Sequence, residues 1–179
     1  MNQESKGKLL SRILRHQPEM IGMKLDEHGW LNVDELLEKI QIKTDLSKEE
    51  LEQIVANDKK QRYSFDASHT RIRANQGHSI PVDVQMEQAI PPDILYHGTA
   101  LAFVPSIKRE GIKSMSRLFV HLSADKPTAI EVGRRHGEPV LLKVDAKAMH
   151  EKGYIFYLSK NHVWQTLYVP PEFFELLEE

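Results

Sequence analysis

No cysteine occurs anywhere in the 179 residues. Disulfides, thiolate metal sites and a cysteine nucleophile are thereby excluded. There is no run of 18 apolar residues, so no stretch reads as a membrane-spanning helix, and Met1-Asn2-Gln3-Glu4 has no signal-peptide core. A strong charge of either sign is also missing. Lys and Arg number 24 against 26 Asp and Glu, for a net charge of −2, so any nucleic-acid contact must come from a local basic face and not from a global field. The sequence contains no Gly-x-Gly-x-x-Gly, Walker loop, Gly-x-Ser-x-Gly or His-Glu-x-x-His. Nine histidines without cysteine partners or a tight His-x-His give no ground for a metal site. A soluble, cytoplasmic protein is the simplest expectation, with 40% hydrophobic residues to fill a core, and a monomer is expected.

What is present is arginine in scattered, suggestive places. Arg15-His16 follows an amphipathic segment, Arg62 sits in Lys60-Gln61-Arg62-Tyr63, and Arg134-Arg135-His136 lies in the other half of the chain. Arginine suits a planar, bidentate grip on phosphate and stays charged at any working pH. Cations in the last turn of a helix also complement its dipole without any ligand. It is the combination of the three sites that points to phosphate.

The first half reads as helices followed by a hairpin. Leu9, Leu10, Ile13 and Leu14 recur on one face from Lys8 to Arg15, and Pro18 stops that helix. Asn32 with Glu35, and Ser47 with Glu50, are capping boxes for two more helices, which turn Leu36, Leu37 and Ile40, then Leu51, Ile54 and Val55, inward. Arg62 to Phe65 alternates like a strand, Asp66 to His69 reads as a turn, and Thr70 to Arg73 returns. Three helices and a hairpin are the parts of a winged helix, whose wing would carry Arg62, Arg71 and Arg73 toward backbone phosphates. Gly77, Pro81 and Pro91-Pro92 mark a break.

Beyond it, Ile94 to Tyr96, Phe119 to Leu122, Pro139 to Val144, Tyr154 to Leu158 and Val163 to Val169 read as strands. Helices are expected near Phe103 to Glu110 and Pro127 to His136, the second capped by Asp125. The expected class is α+β with antiparallel strands. Tyr96-His97-Gly98-Thr99 is expected to end a strand and open a loop, and His121-Leu122-Ser123 to end another. Such units can present imidazole and backbone N–H groups to a ribose or phosphate, or be structural histidines satisfied by a carbonyl. Paired His-x-[Ser/Thr] units also occur in 2H phosphoesterases, although the spacing here is short for that fold. Trp30 and Trp164 lie in apolar patterns expected to be core.

Several stretches together resemble the NAD-dependent RNA (tRNA) 2′-phosphotransferase family. They are Leu10 to Pro18, Leu25 to Trp30, Lys60 to Phe65, Ile72 to Ser79, Leu95 to Thr99, Val120 to Ser123 and Val132 to Gly137. The matches run in order over nearly the whole chain. The resemblance implies a winged-helix RNA-binding lobe over residues 1–80, a linker over 81–92 and an ADP-ribosyltransferase-like, NAD-binding lobe over 93–179, with the active site in the cleft. It implies removal of an internal 2′-phosphate from a tRNA-like RNA, with NAD⁺ consumed as co-substrate and no metal. By the same resemblance Arg15, His16, Arg62 and Arg135 are catalytic, with Arg135 chosen over Arg134. His97, Gly98, Thr99, His121, Leu122 and Ser123 would bind NAD⁺, and Arg71, Arg73 and Arg117 would contact RNA. A one-step ADP-ribosyltransferase acting on nucleic-acid phosphate, and a non-enzymatic NAD-sensing winged-helix regulator, are the competing readings.

Overall fold

The computed structural model describes residues 1–177. Residues 178 and 179, which the expected second lobe includes, lie outside them. The chain divides into two units, Met1–Gln85 and one beginning at Met86. The described residues form a mixed α/β structure with six α-helices and antiparallel sheets.

In the first unit α1 (Gln3–Arg15) starts five residues before Lys8, because the side chain of Asn2 accepts from the backbone N–H of Ser5 and caps it there. Its Leu10, Ile13 and Leu14 are fully buried. Pro18 ends it by opening a short 3₁₀ turn that closes on Gly22 at φ +73°. β1 (Leu31–Asn32) leads into α2 (Val33–Lys39), capped by Asn32 onto the N–H of Glu35. α3 (Lys48–Asn57) is capped by Ser47 onto the N–H of Glu50. Each such cap contributes about 1 kcal/mol. β2 (Tyr63–Phe65) and β3 (Arg71–Ala74) form the expected hairpin, and β1 adds to it in the order β1-β3-β2, an extra strand the sequence did not announce. The hairpin turn is built on Asp66, which accepts from the N–H groups of Thr70 and Arg71 and from Arg71 Nε. Leu10, Leu14, Leu36, Leu51 and Ile72 meet in one core, with Ile80 and Val82 packed against it.

The second unit contains β4 (Glu87–Gln88), β5 (Ile94–Ala100), α4 (Val104–Glu110), β6 (Ile112–Lys113), β7 (Val120–Leu122) and α5 (Lys126–Arg134). These are followed by β8 (Pro139–Asp145), α6 (Ala146–Glu151), β9 (Tyr157–Leu158), β10 (Trp164–Thr166), β11 (Tyr168–Val169) and β12 (Phe174–Leu177). The sheets run β4-β9-β10-β7, β11-β6 and β12-β8-β5, antiparallel throughout. A single bridge, with Tyr96 and Ser123 exchanging both backbone hydrogen bonds at 2.8 Å, joins β5 to the end of β7. Leu95, Ile112, Leu122, Leu142, Val144 and Phe156 fill the core.

Three expectations need correction. His97, Gly98 and Thr99 do not open a loop: β5 continues through them to Ala100, each paired across to β8. Tyr154 to Phe156 lie outside a strand, and Val163 to Val169 is split by exposed Leu167 between two sheets. Trp30 is only partly buried, outside the core cluster, and carries the guanidinium of Arg73 at 4.2 Å and of Arg71 at 5.1 Å over its ring. Val82 packs on the first core, and Glu87-Gln88 pairs with β9.

One contact in the second unit sets the position of its basic residues. A Cβ on Gly98 would fall within the van der Waals shell of the Ala129 carbonyl, 2.5 Å from its carbon, and one on Gly133 would lie 2.7 Å from the Thr99 carbonyl oxygen. β5 and α5 therefore touch backbone to backbone. The turn after α5 is held near the chain of His97.

Candidate active site

Arg15 is the last residue of α1, 9% exposed, with its guanidinium laid against Gly77. Gly77 has φ +89°, which favours glycine, and a Cβ there would stand 3.2 Å from Arg15 Nε, a tight approach. Just beyond, the Ser79 N–H donates to the Arg15 carbonyl at 3.0 Å, and its hydroxyl lies 2.9 Å from His16 Nδ1. The segment Gly77-His78-Ser79 is thus a strap that ties the backbone of Arg15 and the side chain of His16 at the helix end.

Arg62 is fixed differently. Asp58, just past α3, accepts from the Arg62 guanidinium at 2.6 Å and from its backbone N–H at 2.8 Å. Next to it, Tyr63 donates to the Gly7 carbonyl at 2.8 Å. Burial raises the Tyr63 pKa, and the Ser11 hydroxyl and the charges of Arg15 and Arg62 oppose that rise. Both guanidiniums therefore lie within electrostatic reach of one phenol. His78 is 3% exposed, and its pKa is pushed down to about 4, first by burial and then by the charges of Arg15, His16 and Arg73. Within this unit the structure brings Arg15, His16, Arg62 and Arg73 around a small neutral framework of Tyr63 and His78.

Arg71 and Arg73 alternate on β3 and share the face that covers Trp30. Arg71 is tied to Asp66 at 3.0 Å and approaches Asp26 at 3.9 Å, whereas Arg73 donates to the His28 carbonyl at 3.2 Å.

The second unit holds another set. His97 Nδ1 lies 3.0 Å from the His121 carbonyl. A carbonyl only accepts, so Nδ1 carries the proton and Nε2 remains an acceptor. Burial keeps the His97 pKa below the ordinary histidine value, outweighing the carbonyl. His121 is the opposite tautomer: Arg117 donates to its Nδ1 at 2.8 Å, and a guanidinium has no acceptor, so Nε2 carries the hydrogen. Two neutral histidines, one accepting and one donating, suit the hydroxyls of a ribose. The Arg117 pKa is lowered by burial and then by the charge of Arg135. Arg134 is exposed and ion-paired with Glu131, so it is Arg135, at the cap of α5, whose charge reaches Arg117. His136 in turn acts on His97.

Other candidates are placed as follows. The Leu122 side chain is 1% exposed in the core, and only its backbone, paired to Trp164, can line a site. Thr99 is 5% exposed, and Gly98 serves the contact with α5. Sequence patterns did not single out Asp58, Tyr63, His78 or Ser79. Asp58 had a local signal, a carboxylate four residues before Arg62, and the rest depend on contacts across the fold. Among the described residues no group of three or more His, Asp or Glu side chains is placed to hold a metal, and no helix is long and apolar enough to cross a membrane.

With this geometry in view, comparison with known proteins is decisive. Residues 2–167 match the model of the RNA 2′-phosphotransferase, Tpt1 / KptA family. The chain belongs to this family. It is similar to a probable RNA 2′-phosphotransferase of Nostoc punctiforme, 52% identical over 94% of this chain and 93% of the relative. A protein of the same name from Fusobacterium nucleatum is 52% identical over 93% of this chain and 94% of its own length. A third, from Flavobacterium johnsoniae, is 49% identical over 96% and 95%. As a family member the chain is a transferase.

Proposed function

We propose that the chain removes an internal 2′-phosphate from RNA by transferring it to NAD⁺. In this reading the first unit, with three helices and a hairpin, is a winged-helix module for RNA. The second, with its antiparallel sheets and paired histidines, is an ADP-ribosyltransferase-type module for NAD⁺. The observation that supports it most is that the Arg62 guanidinium is fixed in advance by Asp58, while Arg15 is buried beside Gly77. A dianion meets donors that need no reordering, and such preorganised donors are each worth about 3 kcal/mol where charge builds up.

The reaction then has two steps. A 2′-phosphate oxygen attacks C1″ of the nicotinamide ribose as the C1″–N bond breaks, and nicotinamide leaves neutral with the bonding pair. Positioning dominates, because the leaving group is already cationic and a phosphate dianion needs no general base. The ribose O2″ then attacks the phosphorus and the bond to the RNA O2′ breaks. The proton lost from O2″ ends on the RNA oxygen. His16, oriented by Ser79, is the residue assigned to carry it. Arg15, Arg62 and Arg135 balance the added negative charge, and His97 and His121 hold ribose hydroxyls by their complementary acceptor and donor. The products are RNA 2′-OH, nicotinamide and ADP-ribose 1″,2″-cyclic phosphate.

The test is a short RNA with one internal 2′-phosphate, incubated with and without NAD⁺, resolving both RNA and small-molecule products. NAD⁺-dependent conversion to the 2′-OH form with cyclic phosphate release is expected. Accumulation of ADP-ribosylated RNA would identify the one-step transferase instead, and no NAD⁺-dependent change would refute the proposal.

A further inference from the structure

Beside Arg62 the first unit carries a groove of about 410 Å³ between the start of α1 and the end of α3, lined among others by Gln3, Gly7, Lys8, Ser11, Asn57 and Arg62. Its volume lies within the range of small-ligand sites, enough for one nucleoside and too small for a duplex. Its lining is of mixed sign. Lys8 pairs with Glu4 at 3.3 Å, and Arg62 with Asp58 at 2.6 Å, so the walls do not select a free anion. They suit a neutral body attached to phosphates, with side-chain amides (Gln3, Asn57) that can both donate and accept against a base edge or a ribose hydroxyl.

Gly7 carries the second observation. It lies inside α1, where glycine weakens a helix relative to alanine. Neither packing nor backbone geometry requires it. An added Cβ would meet only Ile54 Cγ2, at the ordinary distance of 3.8 Å, and its φ is not in the left-handed region. What a side chain at position 7 would do is project into the groove that Gly7 lines. The glycine is explained by keeping that floor open for close approach of a ligand.

We infer that this groove is a nucleoside subsite: it takes the RNA residue next to the one whose 2′-phosphate Arg62 holds. The inference rests on the proposed function, and it adds recognition of a neighbouring base or sugar to phosphate binding.

The probe is an RNA trinucleotide with the 2′-phosphate on its central residue, compared with two forms in which one or the other neighbour is abasic. One abasic form is expected to raise KM about tenfold, in keeping with the loss of one base contact. Gly7→Leu, which fills the groove, is expected to raise KM for the intact trinucleotide by the same factor and to abolish the distinction between intact and abasic substrates. Circular dichroism and thermal melting establish that this variant is folded. Gly7→Ala should melt higher than the parent and fall between the two in KM. Turnover with KM unchanged by Gly7→Leu, or by both abasic substitutions, overturns the subsite while leaving the phosphotransferase reading intact. Absence of NAD⁺-dependent turnover of any of these RNAs by the parent overturns both.

Discussion

Replacing Gly98 by alanine is expected to separate β5 from α5 and to cost both stability and turnover. The new Cβ would stand 2.5 Å from the Ala129 carbonyl carbon, and still closer to its oxygen, where ordinary contact begins at 3.4 Å. The backbones must therefore part by at least about 0.9 Å. Neither side can yield by a rotamer change, since the obstruction is main chain. β5 is anchored along seven residues of β8, and α5 is anchored through its Asp125 cap, which accepts from the Thr128 N–H at 2.8 Å. Overpacking costs about 1–3 kcal/mol even where side chains can adjust, so a loss of at least about 3 kcal/mol is expected here. In a unit of this size that lowers its melting temperature by roughly 12–24 °C. Arg135 and His136 lie just beyond α5 and move with it, so kcat should fall as well, below the unfolding temperature. Gly133→Ala is the graded control: its Cβ would stand 2.7 Å from the Thr99 carbonyl oxygen, with a smaller loss expected. Thermal melts followed by far-UV circular dichroism, with turnover assayed well below the transition, read both effects. A Gly98→Ala protein with parental melting and parental kcat would refute the backbone-contact account of how α5 is placed.

Other outcomes are expected from the same geometry. Arg15→Ala and Arg62→Ala should fold and each lose on the order of 10²-fold or more in kcat. Asp58→Asn, which loosens Arg62 without removing it, should lose less and be the milder of the three by the same assay. Arg135→Ala should be severely impaired and Arg134→Ala near parental, since Arg134 is occupied by Glu131; equal losses would sink that choice. His78 is held neutral with a pKa depressed from 6.5 to about 4. Its stabilising contribution is therefore present above pH 6.5 and is lost as pH falls toward 4, a drop on the order of 3 kcal/mol. Urea melts of the parent and of His78→Leu, compared across that pH window, should show a shallower decline in the variant, and parallel declines would count against the assignment. Trp30→Leu should weaken RNA binding by releasing Arg71 and Arg73 from their platform, at about 0.5–2 kcal/mol. Arg73→Ala should lower the salt-dependence slope of binding by about 1, measured by fluorescence anisotropy across a salt series.

A good part of this protein is legible in its sequence through local rules. Asn32, Ser47 and Asp125 cap the helices they announce, because a cap is a contract between residues three apart. The hairpin around Asp66 to His69 is readable for the same reason, with alternation on both sides and turn residues between. The ordered set of motifs that resembles the phosphotransferase family is a property of sequence alone, and membership follows from it. Two readings fail where local pattern meets a competing partner. Trp30 has an apolar neighbourhood in sequence, but β3 brings Arg71 and Arg73 over its ring from more than 40 residues away. Thr99 resembles the start of a loop beside Gly98, but β8 supplies a ladder partner that carries the strand to Ala100.

What only the tertiary structure decided is how each side chain is held. The tautomers of His97 and His121 depend on a carbonyl 24 residues away and on a guanidinium that crosses from the preceding loop. The closeness of Gly77 to Arg15, the contact of Gly98 with Ala129, and the open floor at Gly7 are facts about space between segments distant in the chain. Residue type tells which atoms can donate, accept or carry charge. Orientation and protonation are set by the low-dielectric surroundings and by whichever partner the fold delivers, and those do not follow from spacing along the chain.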